Sequence, residues 1–299
     1  MPYSLETWKH FQIPDHIFLS TDADGLLKIS VQTIYSNAEI YFQGAHVTSF
    51  QQHGRAPLLF MSASGRMSRG HMLHGGIPLC FPWFGNRPGE ELSHGFVRLH
   101  PWNLIMTKVN EEEEVELLFE FPEKLLSQFG WLPLEVHYKV IVGASLKLEL
   151  SVKNRTEESF SYEECFHTYF SVGDIEQTMI QGLQGLYYLD KTEDLILKLE
   201  NQEKIPIRGE INRIYLDSRD PIQIHDYAHG RIIHIKKNFS RSTVLWNPWI
   251  EKATSIPDFA PDDFKQMICV ESGNIGQFSK KLSPGESSLI YVELSTSSD

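Results

Sequence analysis

Hydrophobic and polar positions alternate with a period of two along most of this chain. The clearest run sets Leu146, Leu148, Leu150 and Val152 against Lys147, Glu149, Ser151 and Lys153. One face of such a strand is buried and the other is wet. Comparable runs at Leu26–Ile34, Val115–Phe121, Leu134–Val142, Leu195–Glu200, Arg231–Lys236, Thr243–Trp246 and Leu289–Leu294 predict further strands. Turn residues fall between them, at Asp24-Gly25, Gly143-Ala144-Ser145, His229-Gly230 and Pro284-Gly285. Helical periodicity is short. Pro122–Phe129 predicts one helix with proline in its first turn, and Asp258–Lys265 predicts a second turn or two. Many closely spaced strands with few short helices predict an all-β protein, a large antiparallel β-sandwich. No repeat or low-complexity linker divides the chain, so residues 1–299 are read as a single domain with Ser295–Asp299 frayed. The acidic run Glu111–Glu114 is read as a solvated hairpin tip.

Bulk properties exclude some partners. A net charge of −12 argues against nucleic acid and anionic membranes, because phosphate neutralisation needs clustered Lys and Arg. The pocket of such a protein can still be locally basic. Cys80, Cys165 and Cys269 are few, odd in number and flanked by apolar residues. They read as buried free thiols in a reducing compartment, with no metal-type spacing. No signal-peptide pattern and no apolar run of spanning length is visible. A cytoplasmic protein, monomeric and without a membrane or nucleic-acid partner, is the expectation.

One stretch breaks the alternation. His74–Arg98, HGGIPLCFPWFGNRPGEELSHGFVR, crowds glycine, proline and aromatic residues around polar ones. Such a run resists regular structure, yet it is too apolar to float in water. The physical compromise is a loop folded onto a scaffold, presenting Arg98, His94 and His74 to a cleft.

Three more segments carry chemistry-bearing residues. In Cys165–Phe170, alternation places Cys165, His167 and Tyr169 on one face of a strand. Trp246–Lys252 reads as an aromatic strand end turning into a loop. In Met267–Gly273, Glu271 closes a short apolar strand. Burying an unpaired carboxylate is costly, so Glu271 needs donors or works with a shifted pKa. A histidine and a glutamate in an aromatic-lined cleft supply a general acid and a general base. Four histidines, His71, His74, His94 and His100, also raise a cupin-type metal site. Their spacing argues against it, since no H-x-H with a following glutamate accompanies them. A glycoside hydrolase would need a second carboxylate beside Glu271.

Five segments occur in the order seen in the aldose 1-epimerase superfamily: GGIPLCFPWFG, HGFVR, FHTYFSVGDI, WNPWIEKA and ICVESGNI. Over roughly Ala38 to Leu294 the chain resembles the hexose-6-phosphate mutarotases, or glucose-6-phosphate 1-epimerases. The resemblance implies a β-sandwich of the galactose-mutarotase type and interconversion of the α and β anomers of a hexose 6-phosphate, glucose 6-phosphate foremost, with no cofactor and no metal. It implies Glu271 as base and His167 as acid. It implies that His94 lines the sugar pocket, that Arg98 binds phosphate, and that His74 and Asn212 complete the substrate contacts.

The chain also departs from the family pattern. His74 stands where phosphosugar members usually carry arginine, Ser93 where they carry glutamine, and Asn212 where they carry aspartate. Histidine gives one neutral donor where arginine gives a charged fork. Arg66, Arg69 and His71 lie just upstream and are candidates to restore that charge. Two other readings stay open: a mutarotase for unphosphorylated aldoses, and a non-catalytic carbohydrate-binding or sensing protein.

Overall fold

The computed structural model describes residues 5–65, 68–71, 74–131 and 133–299. Two large antiparallel sheets and a four-stranded sheet dominate it, as the alternation predicts. The nine-stranded sheet runs in the order Lys204–Pro206, Thr178–Gln181, Ile222–Asp226, Arg231–Asn238, Ser287–Ser298, Leu146–Asn154, Leu134–Val142, Val115–Glu120, Asn103–Val109. The second sheet, called the site sheet below, runs Ile196–Leu199, Tyr187–Asp190, Ile211–Leu216, Ser242–Asn247, Met267–Asn274, Glu164–Phe166, Leu79–Cys80. One contiguous apolar cluster links the sheets and includes Tyr138, Phe166, Phe170 and Leu245, each no more than 1% exposed.

Most strand predictions match to within a residue or two, and Leu134–Val142 matches at both ends. The predicted helix forms at Glu123–Gln128, with Pro122 just outside as its N-cap. Other elements differ. The C-terminal residues do not fray: the last strand extends to Ser298 and pairs in register with Arg231–Asn238. Eight ladder pairs outweigh the usual loss of order at a chain end. Asp258–Lys265 forms only a short 3-10 turn at Asp263–Gln266. Trp249–Ala253 is a helical turn rather than loop. Glu114, at the hairpin after Val109, is buried and bonded to Lys147 at 2.9 Å, so the acidic run is not wholly solvated. Among the described residues, no helix is long and apolar enough to cross a membrane.

Met267–Asn274 is buried at all eight positions. It lies mid-sheet, packed into the apolar core, and Glu271 faces a cavity shared with His74, His94 and Arg98. Two-sided burial removes alternation, which is why Met267–Val270 reads as a continuous apolar run. Glu271 therefore sits within the strand, not at its end. The His74–Arg98 segment folds onto the scaffold as expected but is not wholly irregular. Leu79–Cys80 joins the site sheet as its edge strand, and Val97–Leu99 forms a 3-10 turn.

Candidate active site

Cross-strand register gathers the chemistry on one face of the site sheet. Asn212 pairs with Trp246, Trp246 with Cys269, and Cys269 with Tyr169. In the next row Ile214 pairs with Val244, and Val244 with Glu271. In a third row Gly273 pairs with Cys165, and Cys165 with Cys80. Paired residues of an antiparallel sheet project to the same side. Gly273 makes room there, because a Cβ at that position would lie 2.8 Å from Cys165 Sγ.

His167 reaches this face through a break. The Glu164–Phe166 strand ends, and the chain re-enters the sheet at Tyr169–Ser171, beside the same central strand. The His167 N–H donates to the Pro78 carbonyl at 3.0 Å. The expected uninterrupted strand is thus two short ones. The break places the His167 ring 4.8 Å from that of Tyr169, nearly parallel to it, and at 80° to Trp246.

The result is a direct acid–base contact. His167 Nε2 lies 3.3 Å from Glu271 Oε1, and Cys165 Sγ donates to Glu271 Oε2 at 3.8 Å. The Glu271 side chain is 2% exposed and that of His167 12%. Burial pushes the Glu271 carboxyl up to about 8, opposed by the nearby Lys191 ammonium and the Cys165 hydrogen bond. Burial, aided by His94 and Arg98, holds His167 well below its ordinary value. Near neutral pH the two groups together hold one mobile proton.

Around this pair lies a cavity of about 360 Å³. It is lined by the acid, the base and the four substrate contacts that the sequence put forward: His74, His94, Arg98, His167, Asn212 and Glu271. The half-buried ring of Phe84 lies beside His94, and Trp246 forms part of the floor, while Trp83 is buried in the core. Arg98 donates to the Ser93 carbonyl at 2.5 Å, which orients its guanidinium. His74 packs edge-on to Phe259 at 6.0 Å, and its buried Nδ1 has no hydrogen-bond partner among the described residues. Desolvation and the Arg98 charge lower its pKa, so the ring is neutral.

Sequence reasoning gave no role to two residues of the wall. Lys191 follows the Tyr187–Asp190 strand and lies over the Phe84 ring at 5.9 Å. Lys252 projects from the Trp249–Ala253 turn, 3.6 Å from Glu210. Asn247 sets that turn: its Oδ1 accepts from the Trp249 N–H at 2.9 Å, and its Nδ2 donates to the Phe264 and Met267 carbonyls. WNPWIEKA could have pointed to Lys252 as part of a motif, whereas nothing local marks Lys191. Of the upstream cations, Arg69 lines a separate cavity beside Leu26 and Phe42, so it does not supply charge here. Arg66 lies outside the described residues.

A metal would have few partners. Donor atoms of His167, Cys269 and Glu271 lie within 4.8 Å of one another, the one such trio among the described residues. Binding there requires a thiolate, and burial holds the Cys269 thiol well above its ordinary value. With its third donor held as a neutral thiol, the trio is poorly suited to ligation. A buried carboxyl and imidazole in contact at the base of a polar cavity suit proton transfer to and from two neighbouring oxygens.

Comparison with known proteins bears on this chemistry. Residues 28–295 match the family model described as aldose 1-epimerase. A protein of Cenchrus ciliaris, provisionally named glucose-6-phosphate 1-epimerase, is 30% identical over 83% of this chain and 78% of its own. An Escherichia coli K12 protein with the same provisional name is 30% identical over 81% of each chain. The crystal structure of a Salmonella typhimurium protein, provisionally titled a mutarotase, superposes with a TM-score of 0.89 at 26% identity over 96% of each chain.

Proposed function

We propose a substrate and a set of residue roles from one premise: this chain belongs to the aldose 1-epimerase family. It is an isomerase that interconverts the anomers of a hexose. The residue roles rest on one observation, the 3.3 Å contact between His167 Nε2 and Glu271 Oε1. Opening a pyranose ring requires a proton to leave the C1 hydroxyl and another to reach the ring oxygen. Both oxygens are bonded to C1, so a base and an acid that serve them must be close neighbours. When the shared proton passes from Glu271 to His167 across their contact, Glu271 takes the hydroxyl proton and His167 protonates the ring oxygen as the C1–O5 bond breaks. The open-chain aldehyde rotates about C1–C2. Reclosure then runs the transfers in reverse, with His167 as base and Glu271 as acid. The pair begins and ends with one proton, and no charge is stranded. Stacking on Tyr169 and the Trp246 edge hold the imidazole plane between turnovers.

The substrate is a hexose 6-phosphate, glucose 6-phosphate foremost. In a chain of net charge −12, the pocket wall gathers three cations, Arg98, Lys191 and Lys252. That local reversal of sign suits a dianion, and relatives carry a glucose-6-phosphate 1-epimerase name. Lys252 and Lys191 compensate for His74, which offers a neutral ring where charge would otherwise sit. Asn212 and His94 hydrogen-bond sugar hydroxyls. The aromatic edges of Phe84 and Trp246 cover the ring's C–H groups.

Anomer exchange measured by NMR should show a kcat/KM for glucose 6-phosphate about 100-fold above that for glucose or galactose, the worth of one or two charge-assisted contacts. Lys252→Met should lower the phosphosugar value about tenfold and the glucose value much less. Equal rates on all three sugars would reassign the enzyme to unphosphorylated aldoses. Sugar binding without acceleration would make the fold a sensor.

The pH profile follows from the shared proton. Above about pH 8 the raised Glu271 carboxyl ionises beside a neutral His167, and no acid remains for the ring oxygen. The enzymatic part of kcat/KM should therefore fall tenfold per unit above pH 8 and hold level through neutrality. The acid limb should lie well below pH 6.5, where the pair takes up a second proton. A profile already declining between pH 6 and 7 would contradict this assignment.

A further inference from the structure

The loop that carries His94 determines which ring nitrogen bears the proton. His94 lies at φ 59° and Gly95 at φ 71°, both left-handed. This folds the His94 side chain back over Gly85. The His94 N–H donates to the Gly85 carbonyl at 2.8 Å, and the Gly85 N–H donates in return to His94 Nδ1 at 3.3 Å. A backbone N–H only donates. Nδ1 is therefore an unprotonated acceptor, and the neutral ring carries its hydrogen on Nε2.

Cys80 Sγ lies 3.3 Å from the same Nδ1. Facing an acceptor, the thiol must donate. Cys80 is fully buried on the edge strand of the site sheet, and burial pushes its thiol far up, so it remains protonated. Phe84 closes one side of the ring, edge-on at 4.7 Å, and the His167 ring is 5.5 Å away.

We propose that Cys80 is a positioning residue for anomer exchange: its thiol, with the Gly85 N–H, holds His94 as the Nε2–H tautomer, so that His94 meets the sugar as a neutral donor. The proposal rests on the reading of the site as one that opens a sugar ring. A proton on Nδ1 would point at two donors. A positive charge on His94 is also opposed by burial first and then by Arg98 and Lys191, the cations that face it. His94 then cannot compete with His167 as a second acid. One mobile proton in the site stays with the His167–Glu271 pair.

The test compares the wild type with Cys80→Ser, which keeps a donor, and Cys80→Ala, which removes it, in protein carrying ¹⁵N-labelled histidine. In the wild type His94 should show an acceptor-type Nδ1 and a protonated Nε2 from pH 6 to 9. Cys80→Ser should retain that pattern and kcat/KM to within about threefold. Cys80→Ala should populate both tautomers and lose about tenfold in kcat/KM, the worth of one hydrogen bond, with the serine variant as the rescue. An active enzyme whose His94 is charged near neutrality, or protonated on Nδ1, would overturn the proposal alone. So would Ala and Ser variants identical in both rate and ¹⁵N pattern. Absence of exchange with every sugar would overturn the functional reading and the proposal with it.

Discussion

Glu271→Gln should lower the enzymatic rate of anomer exchange by about 10³-fold, and His167→Ala by a comparable factor. A positioned proton donor or acceptor contributes about 10²–10⁴-fold. Here each group acts twice in a cycle, once in opening and once in closure. Glutamine matches the volume of glutamate and can still accept from Cys165, so the buried strand around position 271 has no cavity to refill. The variant should fold, and its denaturation midpoint separates lost chemistry from lost structure. The double variant should be little worse than either single one, because one proton passes between two partners that work as a unit. Exchange spectroscopy at several enzyme concentrations, with the spontaneous rate subtracted, gives these factors. A loss below tenfold for Glu271→Gln would place the base elsewhere.

Gly95→Ala should cost about 3 kcal/mol or more of stability, enough to remove most soluble protein. Gly95 adopts φ 71°, and a Cβ there would overlap the Phe81 carbonyl, which cannot yield because it belongs to the backbone. The contact matters to function as well as stability, since Gly95 follows His94 and Phe96 donates to that same Phe81 carbonyl. Gly85→Ala makes the control. Its φ is also positive, at 67°, but among the described residues nothing lies within 4 Å of an added Cβ. It should pay only the torsional cost, about 1–2 kcal/mol. Urea denaturation of both variants distinguishes the two sources of strain. Equal losses would mean that the Phe81 contact relaxes.

Much of this architecture is legible in the one-dimensional pattern. Leu146–Asn154 alternates because one face packs on the core and the other meets water, so a period of two reports it directly. Ser287–Ser298 does so less clearly near its end, where Ser295, Thr296, Ser297 and Ser298 are polar on both faces. Only their partners, Arg231 to His234, reveal them as strand. Met267–Asn274 lacks alternation for the opposite reason, being buried on both faces, and shows as strand only through its apolar first half. The candidate site divides in the same way. His74, His94 and Arg98 are marked by the glycine- and proline-rich segment that carries them. His167 and Glu271 stand out because a histidine and a carboxylate interrupt apolar strands. Lys191 has no such context, being one lysine among others in a polar turn, and enters the pocket only because its strand lies beside Ile211–Leu216. Arg69 looks as basic as Arg98 and faces another cavity.

By itself, the sequence determined that the protein is built of antiparallel strands and which face of most strands is buried, and it held five segments in the order of the aldose 1-epimerase family. The first two properties are local, set by side-chain period and by residue type. Only the tertiary structure decided that His167 and Glu271 touch, that three cations share one wall, and that Cys80 sits under His94. Each of these depends on which strands are neighbours and in what register. Alternation fixes a side chain's face but says nothing about the strand beside it.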